Sequence, residues 1–306
     1  MIHKNAFLDT KSLEEALCFV GGYKLDISKR KFLLKQGAMT GVVAAEYDHL
    51  GCTKRIGTYD RITQDFIQRT SYDMAKHATI LDVGCGSGLL SIELAAQTRA
   101  NVLGIDCSPD MIELAIKNRN NIRHPSSYAI GNSQLGKGQV MTDIDKWIES
   151  VTKQKVKFIQ MDIHSIVELK DVMPLEYIIC RNVLHRFYDP VVRNPPCLAI
   201  SRMYHTLPPG GKLYIRDIHR DADWEILKER IGEQRWNSLS LVEDYVRAMA
   251  SMLTIAELEK YLGQLMIEDY TITDGSYLGP KIKSRGNLNE FEKETEYVCV
   301  IRKPQG

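Results

Sequence analysis

The chain has 306 residues, 44% hydrophobic and 26% charged, with 40 Lys and Arg against 39 Asp and Glu. A formal charge of +1 removes any global argument for nucleic acid or an anionic membrane, and the length predicts one large domain, or a domain with an appended subdomain, with ample core. Seven scattered cysteines show no CxxC and no metal-ligand spacing, so no metal is expected. No apolar run reaches bilayer length, and MIHKNAFLDTKSLEE turns charged too early for a signal peptide. A cytoplasmic protein with free thiols is expected.

Up to about residue 76 the pattern is helical, with no strand. In SLEEALCFV, Ser12 caps, and Leu13, Ala16, Leu17 and Val20 recur at helical spacing before Gly21 and Gly22 stop the run. SKRKFLLKQG and GVVAAEYDHLG predict two further helices. A longer one starts at Thr58, with Ile62, Phe66 and Ile67 on one face and Met74 farther along. From residue 79 strands and helices alternate: ATILDVGCGSG, LLSIELAAQT, ANVLGIDCS, then PDMIELAIKN with Pro109 in its first turn. That alternation predicts a parallel sheet covered on both faces.

The next strand, KVKFIQMDI, follows a long connection whose end, TDIDKWIESVTK, reads as an inserted helix with Thr142 and Asp145 as a capping box. LEYIICRNVLHRF is a strand leading into a loop. A helix runs from Asn194-Pro195-Pro196 to about Thr206, and LPPGGKLYIRDI is a turn and a fifth strand. Two helices are expected within 221–253. Thr254 caps TIAELEKYLGQL, and MIEDYTIT and EYVCVIR close the sheet around a loop at 274–287.

The run DVGCGSG at 82–88 follows a strand and opens a helix. Its glycines allow a tight turn and close approach to a ligand, and helix-opening amides suit a polar group. An acid just before the first glycine, Asp82, would repel a pyrophosphate and could hold an ammonium. With ILDVGCGSGLLSIELA, VLGIDCSPDMIELA, FIQMDI, YIICRNVLHRF and LPPGGKLYIRD in that order, residues 57–303 resemble the class I S-adenosylmethionine-dependent methyltransferases of small-molecule type. The resemblance implies an α/β, Rossmann-like fold with a seven-stranded, mostly parallel sheet. It implies residues 1–56 as an N-terminal helical lid and 57–306 as the cofactor-binding domain, with an insertion at about 121–156 and a helical cover at about 221–253. It places S-adenosyl-L-methionine against Asp82, Gly84, Cys85, Gly86 and Gly88. Asp106 would hold both ribose hydroxyls, since one carboxylate accepts two hydrogen bonds from a vicinal diol, with Cys107 and Met111 beside it. Asp162 would take the adenine amino group and Ile163 its ring edge. Arg181 and Asn182 would line the methionine part.

Methyl transfer from a sulfonium is an in-line displacement, in which the protein holds donor and acceptor and excludes water. Candidates for acting on the acceptor are His185 as a base near neutral pH, Asn182 facing the methionine part, and Tyr59, chosen from Tyr47, Tyr59 and Tyr72 of the leader for cation–π attraction to the sulfonium. Arg216 and Arg220 could clamp a substrate carboxylate or phosphate, or serve surface ion pairs within RDIHRDAD. Cys85, Cys107 and Cys180 read as small hydrophobes. The expected partner is a small-molecule substrate, with no nucleic acid and no membrane; a homodimer is compatible with the resemblance. Two other readings share the cofactor motifs. One is cyclisation of the aminocarboxypropyl arm, for instance to azetidine-2-carboxylate, with release of methylthioadenosine. The other is a non-catalytic cofactor-binding partner protein.

Overall fold

The computed structural model describes residues 39–41, 43–45, 47, 58–75, 78–121, 150, 152–171, 173–187, 195–223, 225–226, 244, 248, 251–278 and 288–306. The helices expected at 12–20 and 28–37, and most of those expected at 142–151 and 221–253, lie outside these residues. Among the described residues no helix is long and apolar enough to cross a membrane.

Helix α1 (Thr58–Thr70) precedes strand β1 (Thr79–Val83), and α2 (Leu89–Thr98), β2 (Asn101–Asp106), α3 (Pro109–Asn120) and β3 (Val156–Gln160) follow. After a 3-10 segment (Ile163–Asp171) come β4 (Leu175–Arg181), a 3-10 turn (Leu184–Phe187), α4 (Pro195–Thr206) and β5 (Lys212–Ile218). The chain then runs through α5 (Ile255–Gln264), β6 (Tyr270–Asp274), α6 (Leu288–Thr295) and β7 (Glu296–Arg302). The strands form one seven-stranded sheet in the order β3-β2-β1-β4-β5-β7-β6. The first five are parallel; β7 runs antiparallel to both β5 and β6. The fold class and sheet expected from the sequence are therefore present.

Strand alternation sorts the core into two layers, because successive side chains point to opposite faces. Leu81, Leu103, Ile178, Leu213 and Ile215 face α4 and α5, where they meet Ile200, Met203, Leu258 and Leu262. Ile80, Val102, Ile179 and Tyr214 face the other way, onto Ile62 and Phe66 of α1 and Leu90 and Leu94 of α2. All five residues of β1 are buried, as a central strand covered on both faces requires.

Local signals set the helix starts. Ser108 caps α3, its hydroxyl accepting from Met111 N at 3.2 Å, with Pro109 in the first turn. Thr254 caps α5 in a reciprocal box: Glu257 N donates to Thr254 Oγ1 at 3.0 Å, and Thr254 N donates to Glu257 Oε2 at 2.9 Å.

Three elements differ from expectation. The chain leaves α1 at Thr70, Ser71 turns left-handed at φ 49°, and Met74 is exposed instead of joining the apolar face. Strand β6 starts at Tyr270, not Met266, because 265–266 is a turn in which Met266 adopts φ 54° and is 85% exposed. Helix α6 was not expected; LNEFEKET is polar and only 8 residues long.

Candidate active site

A cavity of about 340 Å3 opens at the carboxyl ends of the parallel strands. Open α/β sheets bind ligands there. Its floor is set by the glycine loop. Cys85 N donates to Ile105 O at 2.9 Å and Gly86 N donates to Asp106 Oδ2 at 3.0 Å, so the loop is stitched to the end of β2. Gly86 has φ 53°, and a Cβ there would meet only Tyr47 within 4 Å, so its backbone borders open space. Gly88, at φ 79°, is different: a Cβ would fall 2.5 Å from the Phe158 ring. It lets α2 and β3 pack closely and is not part of the cavity wall.

Asp106 reaches the cavity from the end of β2. Its Oδ1 accepts from Ser108 N at 2.9 Å. Each oxygen thus holds one amide and keeps a lone pair for a ligand. Burial raises its pKa above the ordinary 3.8, while the amides of Ser108 and Gly86 favour the charged form. Asp162, 59% exposed, stands just after β3, with Oδ1 accepting from His164 N at 2.8 Å. Cys107, Met111 and Ile163 join the wall on that side.

From β4 come Arg181, Asn182 and His185. Asn182 adopts φ 52°, and its N donates to Arg216 O at 2.9 Å across to β5. Its Oδ1 is buried without a hydrogen-bond partner among the described residues. His185 is 3% exposed. Its Nδ1 lies 3.7 Å from Asp217 Oδ1, too long for a hydrogen bond. Burial holds the imidazole below 6.5, outweighing Asp217, and Arg186 adds to the lowering. The ring is therefore neutral at pH 7.

Two sequence expectations shift. Asp82 does not join the cavity wall. It is 2% exposed beneath the loop, its Oδ2 accepting from Ser91 Oγ at 2.5 Å, and burial pushes its pKa to about 7. Tyr59 also stands outside the wall, packed against the α1-side core with the Arg181 guanidinium 5.8 Å from its ring centre. The leader tyrosine that lines the cavity is Tyr47; Tyr72 is core, stacked near Phe66 and Tyr177. Tyr47 comes with Met39, and this segment is moored to α3. Ser108 Oγ donates to Met39 O, and Gly41 N donates to Asp110 Oδ2 at 2.6 Å.

The Arg216 clamp is overturned. Arg216 is fully buried on the α1 side, with Nε 2.6 Å from Glu296 Oε2, Nη1 3.3 Å from Asp65 Oδ2, and Nη2 donating to Gly275 O. Arg220 is tied to Glu257 at 2.9 Å. Neither serves RDIHRDAD surface pairs; their partners lie in other elements. Cys85 and Cys180 are buried, and burial raises both thiols far above their ordinary value, so they act as small apolar residues. Cys85 is not on the wall, whereas Cys107, exposed on the wall, is also raised by burial.

Sequence reading did not anticipate Asp244, Ala248 and Met252 of the cover, nor Phe187 and Ile218. Asp244 holds Arg186 in a fork, Oδ1 to Nη1 at 2.8 Å and Oδ2 to Nη2 at 2.6 Å. Among the described residues the wall carries three carboxylates (Asp106, Asp162 and Asp244) against two guanidiniums (Arg181 and Arg186). Since Asp244 and Arg186 neutralise each other, the excess is negative beside β2 and β3. That set fits a nucleoside bearing a cation: a diol acceptor, an acceptor for an exocyclic amine, and an open glycine loop.

The sequence pattern of the methyltransferase domain family matches residues 56–265. Among curated proteins, a ubiquinone biosynthesis O-methyltransferase of Xylella fastidiosa (strain 9a5c) is 28% identical over 47% of this chain and 43% of its own. The ubiquinone/menaquinone biosynthesis C-methyltransferase UbiE of Geobacter sp. (strain M21) is 35% identical over 28% of this chain and 37% of its own. The chain spans between 20% and 54% of the curated relatives it matches. Among solved structures, the plantazolicin methyltransferase BpumL, in complex with a triazolic desmethylPZN analog and SAH, shares 18% identity. It covers 96% of this chain and 98% of its own at a TM-score of 0.52, a likeness of fold.

Proposed function

The chain belongs to the methyltransferase domain family, and from that premise we propose that it moves a methyl group from S-adenosyl-L-methionine to a small-molecule acceptor. The observation that carries this reading is the cavity in which Asp106, Asp162 and the open Gly86 loop meet an apolar wall from the leader and the cover. The cofactor, when bound, supplies an electrophilic methyl on a sulfonium. Asp106 would hold the ribose hydroxyls through its spare lone pairs. Asp162 would take the adenine amino group and Ile163 its ring edge. Gly84, Gly86 and the Asn182 amide oxygen would receive the amino-acid tail, with Arg181 beside its carboxylate.

Strand order separates the two halves of the reaction. Asp106 and Asp162 follow β2 and β3; Asn182, His185 and Ile218 follow β4 and β5 on the opposite side of β1. The acceptor therefore belongs over β4 and β5, against Phe187, Ile218, Ala248 and Met252, a wall suited to an apolar molecule. Residues 1–56 act as a lid in this reading: Met39 and Tyr47 close the cavity and exclude water. Relatives that methylate oxygen or carbon in quinone biosynthesis support a small acceptor.

The test is incubation of the pure protein with S-adenosylmethionine and a panel of small hydroxylated and aromatic compounds, read by mass spectrometry. S-adenosylhomocysteine is expected, together with a product heavier by about 14 mass units. Methylthioadenosine without any acceptor would overturn methyl transfer. The homodimer is checked by sedimentation of the same sample.

A further inference from the structure

Arg186 stands on the 3-10 turn after β4. Its N donates to Val183 O at 2.8 Å, so the backbone is fixed and the side chain is the part that can turn. Among the described residues its charge meets two carboxylates of the cavity wall. One is Asp244 of the cover, held in a fork at 2.8 and 2.6 Å. The other is Asp106, at the end of β2. Burial raises the pKa of Asp106 and of its neighbour Cys107, and the Arg186 charge lowers both, so the cation stands near the end of β2 as well. The fork is partly exposed, Arg186 at 17% and Asp244 at 23%, and an ion pair in contact with water exchanges partners at little cost. Asp106 already carries two amides, Gly86 N at 3.0 Å on Oδ2 and Ser108 N at 2.9 Å on Oδ1. They occupy one lone pair of each oxygen. A guanidinium fork would occupy the other pair on each, the same two that a vicinal diol needs.

We infer that Asp244 is a positioning residue for cofactor binding: it holds the Arg186 guanidinium off Asp106 and so keeps that carboxylate free for the ribose hydroxyls. This deepens the methyl-transfer reading above and rests on it. Asp244 acts through Arg186 and not by touching the nucleoside. Its own end of the cover is well placed for the task, because Met252 O and Leu253 O, at the other end, accept from Arg220 Nη1 at 3.1 Å and Arg220 N at 3.0 Å. Where it stands, the Arg186 charge favours the ionised form of Asp106 without using its lone pairs. Without the Asp244 charge, the carboxylate left to Arg186 is the one its charge already reaches. The cofactor then binds only those molecules in which the Arg186–Asp106 pair is open, and apparent affinity falls by that fraction. Removing the guanidinium as well removes the competitor. The two substitutions therefore oppose each other, whereas two independent losses of structure would add.

The test needs no acceptor. S-adenosylhomocysteine is titrated by calorimetry at about pH 8, where carboxylates are ionised. Asp244→Asn should weaken binding by about tenfold. Arg186→Gln should stay within about threefold of the unaltered protein, and the double variant should return to that level. Asp244→Glu, which keeps a carboxylate for the guanidinium, should also stay within about threefold. Raising salt from about 0.05 to 0.5 M should shrink the loss in Asp244→Asn, because the competing Arg186–Asp106 pair is screened. Unchanged affinity in Asp244→Asn would overturn the inference, as would a double variant as weak as Asp244→Asn. If Asp244→Asn does not fold, Arg186→Lys decides. A lysine cannot form the fork yet keeps a charge that can turn to Asp106, so it should bind more weakly than Arg186→Gln; equal affinity would overturn the inference. Failure of the unaltered protein to bind S-adenosylhomocysteine at all would instead strike the methyl-transfer reading.

Discussion

Asp82→Asn tests what the carboxylate beneath the glycine loop contributes. Asp82 is 2% exposed and accepts a hydrogen bond from Ser91, yet burial pushes its pKa from the ordinary 3.8 to about 7. A group whose pKa rises on folding binds its proton more tightly in the folded state. Its contribution is complete below pH 3.8 and is lost as pH rises to about 7. At about 1.4 kcal/mol per pH unit, that interval is worth about 4 kcal/mol. The substituted amide cannot ionise, keeps an oxygen for the Ser91 hydroxyl, and should abolish this pH dependence. Urea unfolding of both proteins from about pH 4.5 to 8.5 gives the measurement, and other titrating groups cancel in the difference. The stability of the unaltered protein relative to Asp82→Asn should fall by about 3 kcal/mol across that range, the rest having been lost below pH 4.5, and then level off. Affinity for S-adenosylhomocysteine should stay within about threefold, because Asp82 is not in the cavity wall. Parallel stability curves would refute the argument, and a tenfold loss of affinity would return Asp82 to the ammonium role read from sequence.

Asp106→Ala should weaken S-adenosylhomocysteine by about 1.5–3 kcal/mol, one to two decades in Kd by calorimetry, and also lower Tm because the amides of Gly86 and Ser108 lose their acceptor. Arg216→Met should cost about 3–5 kcal/mol in urea unfolding, since Glu296 is left buried without its cation while Asp65 keeps Arg69 and Tyr214, with the cofactor Kd unchanged; a selective loss of binding would revive the substrate clamp. Gly88→Ala, forcing a Cβ onto Phe158 at a left-handed φ, should destabilise by about 1–3 kcal/mol in the same assay. Tyr47→Ala should slow turnover of an identified acceptor more than Tyr59→Ala does, and the reverse order would show that the wall was misassigned.

The buried charges explain why sequence and structure part where they do. RDIHRDAD reads as a charged strand end, and local spacing offers Arg216 only neighbours within a few residues. Its actual partners, Asp65 and Glu296, are 151 and 80 positions away. The Arg186–Asp244 fork spans 58 positions and joins the β4 turn to the cover. The choice of Tyr59 over Tyr47 failed for a related reason. Tyr59 begins a helix whose apolar face, Ile62 and Phe66, packs on the sheet, and it stays with that core. Tyr47 belongs to a segment that α3 draws over the cavity through Ser108 and Asp110.

The sequence by itself determined the order of the seven strands, the glycine turn, the strand ends that carry Asp106, Asp162, Asn182 and His185, the Pro109 helix start and the cap at Thr254. These are local: a period of 2 or about 3.6, a cap, or a turn needing positive φ is decided by residues within one or two turns of each other. Tertiary structure alone decided that Asp82 is sealed beneath the loop, that Arg216 is core, that Asp217 stands behind His185, and that Asp244 and Tyr47 close the wall. Those outcomes depend on which distant segments the sheet order brings together and on how far each group is removed from water, and both are properties of the assembled packing rather than of any stretch of chain.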